Sequence, residues 1–155
     1  MYPRILVAID GSDTSNLALE QAVQLAEDQR ARLRIVHVVD LFRYSASIAD
    51  GYAFDPTPLW EALRAEGRHA LLTAEAKARS AGVDVETAML EGNDPAQRVA
   101  SMVVKDAHQW DADLIVLGTH GRRGLDRIFL GSVAETLVRM APTPVLLVRA
   151  KTRAQ

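Results

Sequence analysis

The sequence predicts an α/β fold: an open, doubly wound sheet of five parallel strands in the order 3-2-1-4-5, with helices on both faces. Three observations predict it. Four short apolar runs, Ile5 to Ile9, Leu33 to Val39, Leu114 to Leu117 and Val145 to Val148, have strand length and are rich in β-branched residues, with a weaker fifth from Val83 to Leu90. Their hydrophobicity is continuous rather than alternating, which suits parallel strands covered by helices on both faces. Between them the period turns helical, so strands and helices alternate strictly, and right-handed crossovers wind such a chain outward from a central strand in both directions.

Taken in order, strand one leads to a helix marked by Leu17, Ala18, Ala22, Leu25 and Ala26. After strand two, Leu59, Leu63, Ala70, Leu71, Ala74 and Ala78 mark a second helix that Gly82 stops. Asp94-Pro95 predicts the start of a third, with Asp94 as N-cap and Pro95 at the first helical position, followed by Val99, Met102, Val103 and Ala107. The fourth runs from Ser132 to near Met140, before Pro142. In this order strands one and four are neighbours where the winding reverses, and ligands of such sheets settle at the carboxyl ends of those strands. Here the ends are Asp10-Gly11-Ser12 and Gly118-Thr119-His120-Gly121.

Composition bounds the function. The 155 residues predict one domain, 1–155, with an aperiodic insertion over 41–58 and a tail at 150–155. With 48% hydrophobic and 25% charged residues the chain reads as an ordinary globular protein. A net charge of -2 supplies no field to attract a polyanion, so no nucleic-acid partner is expected. Cysteine is absent, which removes thiol nucleophiles, disulfides and cysteine-bound metals. The apolar run from Ile5 to Ile9 is too short for a signal-peptide core or a membrane span, so a cytoplasmic location without membrane insertion is expected.

The most informative stretch is Gly118-Thr119-His120-Gly121-Arg122-Arg123-Gly124, followed by Leu130-Gly131-Ser132-Val133. Glycines at 118 and 121 release the backbone from Cβ restrictions, so successive N–H groups can form an anion-binding nest. Gly131-Ser132 then opens a helix whose first-turn N–H groups and dipole favour a phosphate, by roughly 0.3–1 kcal/mol from the dipole where exposed. A purely structural alternative stands beside this one. Ser132 and Glu135 have capping-box spacing, Gly131 suits a tight turn and Gly118 a strand exit. Neither G-x-x-x-x-G-K-[ST] nor a G-x-G-x-x-G after a strand occurs, so phosphates here depend on backbone amides and arginine.

Gly118-x2-Gly121-x9-Gly131-Ser132 matches the G-x2-G-x9-G-[ST] signature of the ATP-binding branch of the universal stress protein family, whose fold is Rossmann-like. Ile5-Leu6-Val7-Ala8-Ile9-Asp10-Gly11-Ser12 resembles that family's first strand and turn. Asp113 to Gly118 resembles its fourth strand, and Thr143 to Val148 its last. The resemblance spans nearly the whole chain and is weakest over Leu41 to Pro58. It implies that ATP, or a related adenine nucleotide, binds with Mg²⁺. Asp10 would lie by the ribose and near the metal on the phosphates, Ala8 and Ile9 would flank the base through their backbone, and the Val38 main chain would meet the adenine edge. Gly118 and Gly121 would approach ribose and phosphates, and Gly131, Ser132 and Val133 would donate hydrogen bonds. It further implies a role in the stress response, a protein partner not named by the sequence, and a homodimer or larger oligomer formed through the last strand.

Arg122 is the arginine assigned to the triphosphate tail, since guanidinium matches phosphate bidentately; Arg123 and Arg127 read as solvated charge. His37 reads as a hydrogen-bonded core residue, and His120 as a weaker phosphate contact. Asp10 has the alternative reading of a helix cap. The aromatic-bearing segment from Leu41 to Pro58 reads as a surface insertion, with a lid over the base as the sharper reading. No catalytic constellation stands out. The expected function is therefore nucleotide-dependent regulation with little or no hydrolysis. The alternatives are a slow ATPase or autophosphorylating enzyme, and an interaction module without nucleotide.

Overall fold

The computed structural model describes residues 1–41, 55–92, 98–119 and 130–150. Five parallel strands, β1 (Arg4–Ile9), β2 (Arg32–Asp40), β3 (Val85–Gly92), β4 (Leu114–Gly118) and β5 (Val145–Val148), form one sheet in the order β3-β2-β1-β4-β5. Among the described residues the helices between them are α1 (Asp13–Gln29), α2 (Thr57–Ser80), α3 (Val99–Gln109) and α4 (Ser132–Met140). This is the order that strict alternation of strand and helix predicted.

Strand pleating divides the core in two. Ile5, Val7, Ile9, Leu33, Ile35, Val85 and Val116 face α1 and α2, where Ala18, Ala22, Ala74 and Ala78 let the helices approach closely. Leu6, Val36, Ile115 and Leu117 face α3 and α4 together with Val103, Trp110, Ala134 and Leu137. Ile5, Leu6, Val7, Ile115 and Val116 are fully buried, which places β1 and β4 at the centre and explains their unbroken apolar sequence. The buried stripe of α1 also includes Leu19 and Val23, while the predicted Leu17 and Leu25 lie at its margin.

Three helices end in one way. Gly82 takes a left-handed φ of 75° after α2, and the amides of Gly82 and Val83 return to the carbonyls of Arg79 and Ala78. Arg30 and Asp111 adopt the same region after α1 and α3, with φ of 53° and 54°, and the following amides of Ala31 and Ala112 reach back to Ala26 and Ala107.

Three local expectations change. Thr57 and Pro58, predicted as the end of the aperiodic insertion, form the first turn of α2; the insertion's 42–54 lies outside the described residues. The N-cap of α3 is Arg98, in extended backbone, rather than Asp94, which with Pro95 lies outside the described residues. The helical apolar period starts only at Val99, and an Asp-Pro pair marks a turn without fixing where a packed helix begins. The third change is at α4, which runs from Ser132 to Met140 as expected but without the alternative capping box. Gly131, not Ser132, is its N-cap, and no side-chain capping bond forms there. The Gly131 amide is bonded to the Thr119 carbonyl at 2.8 Å, which holds Gly131 extended and moves Ser132 into the helix, where its hydroxyl no longer caps the Glu135 amide.

At the amino ends of the strands, away from the predicted site, Arg34 binds Asp106 through Nε at 2.8 Å and Nη2 at 2.9 Å and reaches Glu86 at 3.2 Å. Hydrogen bonding to Asp106 raises the Arg34 pKa above its ordinary value despite the opposing effect of burial. The Arg4 guanidinium stacks on the Trp110 ring, 4.6 Å from its centroid. These contacts tie β1, β2, β3 and the end of α3 together.

Candidate functional site

The carboxyl end of β1 turns into α1 through Asp10, Gly11 and Ser12. Gly11 has φ 79°, a region that suits glycine, and the Ser12 amide donates to Asp10 Oδ1 at 2.9 Å. Ser12 Oγ accepts the Ser15 amide at 3.2 Å and so caps α1. Asp10 is therefore not the helix cap, and its carboxylate organises the turn ahead of it.

Of the two chain segments that the glycine spacing singled out, the first packs against the start of α1 and the second is tied to the first. A Cβ on Gly118 would lie 2.8 Å from the Thr14 carbonyl carbon and 2.9 Å from its oxygen, so glycine lets the end of β4 pack against the first turn of α1. The next residue, Thr119, is buried; its amide binds the Val148 carbonyl and its carbonyl binds the Gly131 amide. The start of α4 is thereby tied by one hydrogen bond to the residue that follows β4. Asp10, Gly118, Thr119, Gly131 and Ser132 line one end of the sheet at the β1–β4 winding reversal.

Two further predicted residues border the same end. Ala8 and Val38 pack on the α3 and α4 side, yet both are only partly buried although β1 and β2 are interior strands. The side chains of α3 and α4 thus leave that end of the sheet incompletely covered. Ile9, whose side chain points to the opposite face, is buried. Ser132 and Val133 are exposed in the first turn of α4. Gly121, Arg122, His120, Arg123 and Arg127 lie outside the described residues.

Chemically, this end offers amide donors at an α-helix N-terminus without a side-chain cap, an orienting carboxylate, and a small apolar surface at Ala8 and Val38. Such a set suits an anion joined to a flat, partly apolar group. Among the described residues no cluster of three metal-ligating side chains occurs. A lone carboxylate suits a hard cation held mostly by phosphate and water, as Mg²⁺ usually is. Sequence reasoning placed Ser12 at the strand end without its capping role, and it missed Ser15. Ser15 is buried, and its hydroxyl accepts the Asp10 amide at 3.0 Å; a serine just ahead of a helix signals the cap at Ser12, but no local pattern signals Ser15. A separate cavity of ≈ 390 Å³, bordered by Met89, Leu90, Met102 and Lys105 between β3 and α3, includes none of the predicted site residues.

The comparisons with known proteins agree with this architecture. A family model described as the universal stress protein family matches residues 1–149. A universal stress protein of Methanocaldococcus jannaschii is 38% identical over 149 residues, covering 96% of this chain and 83% of that protein. A crystal structure of a universal stress protein family member from Burkholderia pseudomallei superposes with TM-score 0.78 at 40% identity, covering 96% of this chain and 97% of the other. A universal stress protein solved in complex with cAMP superposes with TM-score 0.64 at 29% identity, covering 96% and 97%.

Proposed function

From the chain's membership of the universal stress protein family, we propose that it is a nucleotide-dependent regulatory protein of the stress response that binds ATP with Mg²⁺ at the β1–β4 reversal and hydrolyses it slowly or not at all. The observation that carries this reading is the start of α4: an N-terminus joined to the end of β4 through Gly131 and Thr119, with no side-chain cap on its first turn. Amides in that position are suited to phosphate oxygens. The relative solved with cAMP shows that a universal stress protein can take an adenine nucleotide, which supports the same class of ligand here.

In the proposed complex the main chain of Ala8, Ile9 and Val38 flanks the base, and Asp10 meets the ribose or a Mg²⁺ held on the phosphates. Gly118 and Gly121 approach ribose and phosphates, Arg122 takes the tail, Ser132 and Val133 donate to it, and Gly131, whose amide is already bonded to the Thr119 carbonyl, leaves room for it without a side chain. ATP would act by its differential affinity for two conformations or assembly states, the only way a ligand shifts such an equilibrium. The chain is expected to work in the cytoplasm with an unidentified protein partner; among the described residues no helix is long and apolar enough to cross a membrane.

We also assign the β5 edge to homodimer formation. The two sheet edges differ in protection. On β3, Glu86 and Glu91 form ion pairs with Arg34 and Arg64, and charge on an edge strand discourages strand addition. On β5 the sequence is Val-Leu-Leu-Val, all four residues are half-buried, and Val138 and Met140 of neighbouring α4 are exposed. An apolar edge of this kind needs a cover.

Mass spectrometry of the denatured, purified protein tests the nucleotide reading, and a phosphate-release assay tests turnover. Copurified or saturably bound adenine nucleotide without sustained phosphate release is expected. Steady turnover would instead favour an ATPase, and absence of binding at millimolar Mg-ATP would favour a nucleotide-free interaction module.

A further inference from the structure

We propose that His37 is a positioning residue that locks the Ile9–Asp10 peptide, and with it the Asp10 turn, in place before any ligand arrives; its bearing on nucleotide affinity rests on the reading of this crevice given above. The peptide sits where the central strand ends, and both of its polar groups are held by side chains. His37 Nδ1 donates to the Ile9 carbonyl at 3.1 Å, and the Asp10 amide donates to Ser15 Oγ at 3.0 Å. A carbonyl can only accept, so the proton sits on Nδ1. One of these side chains comes from β2 and the other from α1, so two elements fix the rotation of a single peptide plane. Asp10 Oδ1 then accepts the Ser12 amide, and the carboxylate has a set direction.

The imidazole is itself clamped. His37 is 8% exposed and is the register partner of Ile9 on one side and of Met89 on the other. Its far edge lies against Gly67 in α2, where a Cβ would come 2.8 Å from His37 Cδ2 and 3.3 Å from Nε2. A glycine inside a helix costs about 1 kcal/mol relative to alanine. Gly67 is buried in the middle of a 24-residue helix, and the room it leaves for the ring accounts for its presence. A histidine serving only as filler needs neither this helix glycine nor a bond to the one peptide that precedes Asp10. Holding that peptide in its binding geometry removes part of the ordering cost of ligand association.

The test uses the ¹⁵N-labelled full chain as wild type, His37→Leu and His37→Asn, with amide and imidazole spectra, thermal melts and Mg-ATP titration. Asparagine places an N–H donor near the position of Nδ1; leucine removes it. The wild-type ring should show the Nδ1–H tautomer. Leucine should shift the Asp10, Gly11 and Ser12 amides and weaken Mg-ATP binding about tenfold, the scale expected for one lost hydrogen bond of roughly 1.4 kcal/mol. Asparagine should restore both. The proposal is overturned if the leucine variant leaves those amides unmoved, if it binds Mg-ATP as wild type does, or if asparagine recovers the melting temperature but neither signal. Should leucine fail to fold, the ring tautomer and the asparagine variant still decide, since an Nε2–H ring contradicts the stated bond. If the wild type takes up no nucleotide while the amide shifts occur as expected, the nucleotide reading fails and the positioning of the turn stands.

Discussion

Gly118 and Gly131 belong to one sequence signature but do different work. A methyl group at 118 would press on the Thr14 backbone, which cannot swing aside as a long side chain can. Gly118→Ala is therefore expected to destabilise the fold by about 1–3 kcal/mol, the usual cost of overpacking, measured as a lowered urea midpoint with unchanged slope. Gly131 has φ -61°, a value any residue adopts. Gly131→Val is accordingly expected to keep the melting temperature within a few degrees and to abolish Mg-ATP binding by calorimetry; retained binding would remove this position from the site. The signature spacing made both glycines visible in the sequence, yet it gave no means of telling packing from ligand approach, because Thr14 lies more than a hundred residues away in the chain. Asp10 was legible through its place at a strand end. Ser15 was not, since its hydroxyl is recruited by the register of α1 against β1 rather than by any local pattern.

At the scale of elements, apolar runs marked β1, β2, β4 and β5 to within about one residue, whereas β3, an edge strand that carries Glu86 and Glu91, gave a weaker signal two residues out of place. Helix caps were harder to read. A capping box at Ser132 and an Asp-Pro at 94 are local preferences, and at α4 the Gly131–Thr119 bond overrode the first of them. The helix ends after Arg30 and Asp111 were hidden for a related reason, as left-handed residues without glycine carry no distinctive letter. The Arg34–Asp106 pair was equally invisible, being formed between β2 and α3 across 72 positions. Its side chains are 18% and 10% exposed. Asp106→Ala is expected to cost about 3 kcal/mol, the lower end for breaking a buried pair, because Glu86 still faces the guanidinium. Replacing both partners, as Arg34→Met with Asp106→Leu, should cost markedly less in the same urea experiment. A double variant as unstable as the single one would show that the pair itself holds α3 in place.

For the whole molecule, the strand order brings the end of β1 beside the end of β4 at the reversal of winding, the place where such sheets take ligands. The same order leaves β5 at an edge. Pro144 and Val148 carbonyls bond to β4, so alternation turns the Val145 amide outward, and Val145 is the first residue of the strand. Proline is tolerated at such a position. Val145→Pro should therefore leave the protomer folded and convert a dimer into a monomer in sedimentation velocity; an unchanged dimer would place the interface elsewhere. The central claim is that the first-turn amides of α4, held against the end of β4 by the Gly131–Thr119 bond, close on a nucleotide beside Asp10. Its most direct test is a titration of the ¹⁵N-labelled protein with Mg-ATP, followed amide by amide. Saturable shifts at Asp10, Thr119, Gly131, Ser132 and Val133, with the distant Arg34 and Asp106 amides still, are predicted. Shifts confined to other surfaces, or none at millimolar nucleotide, would contradict the account.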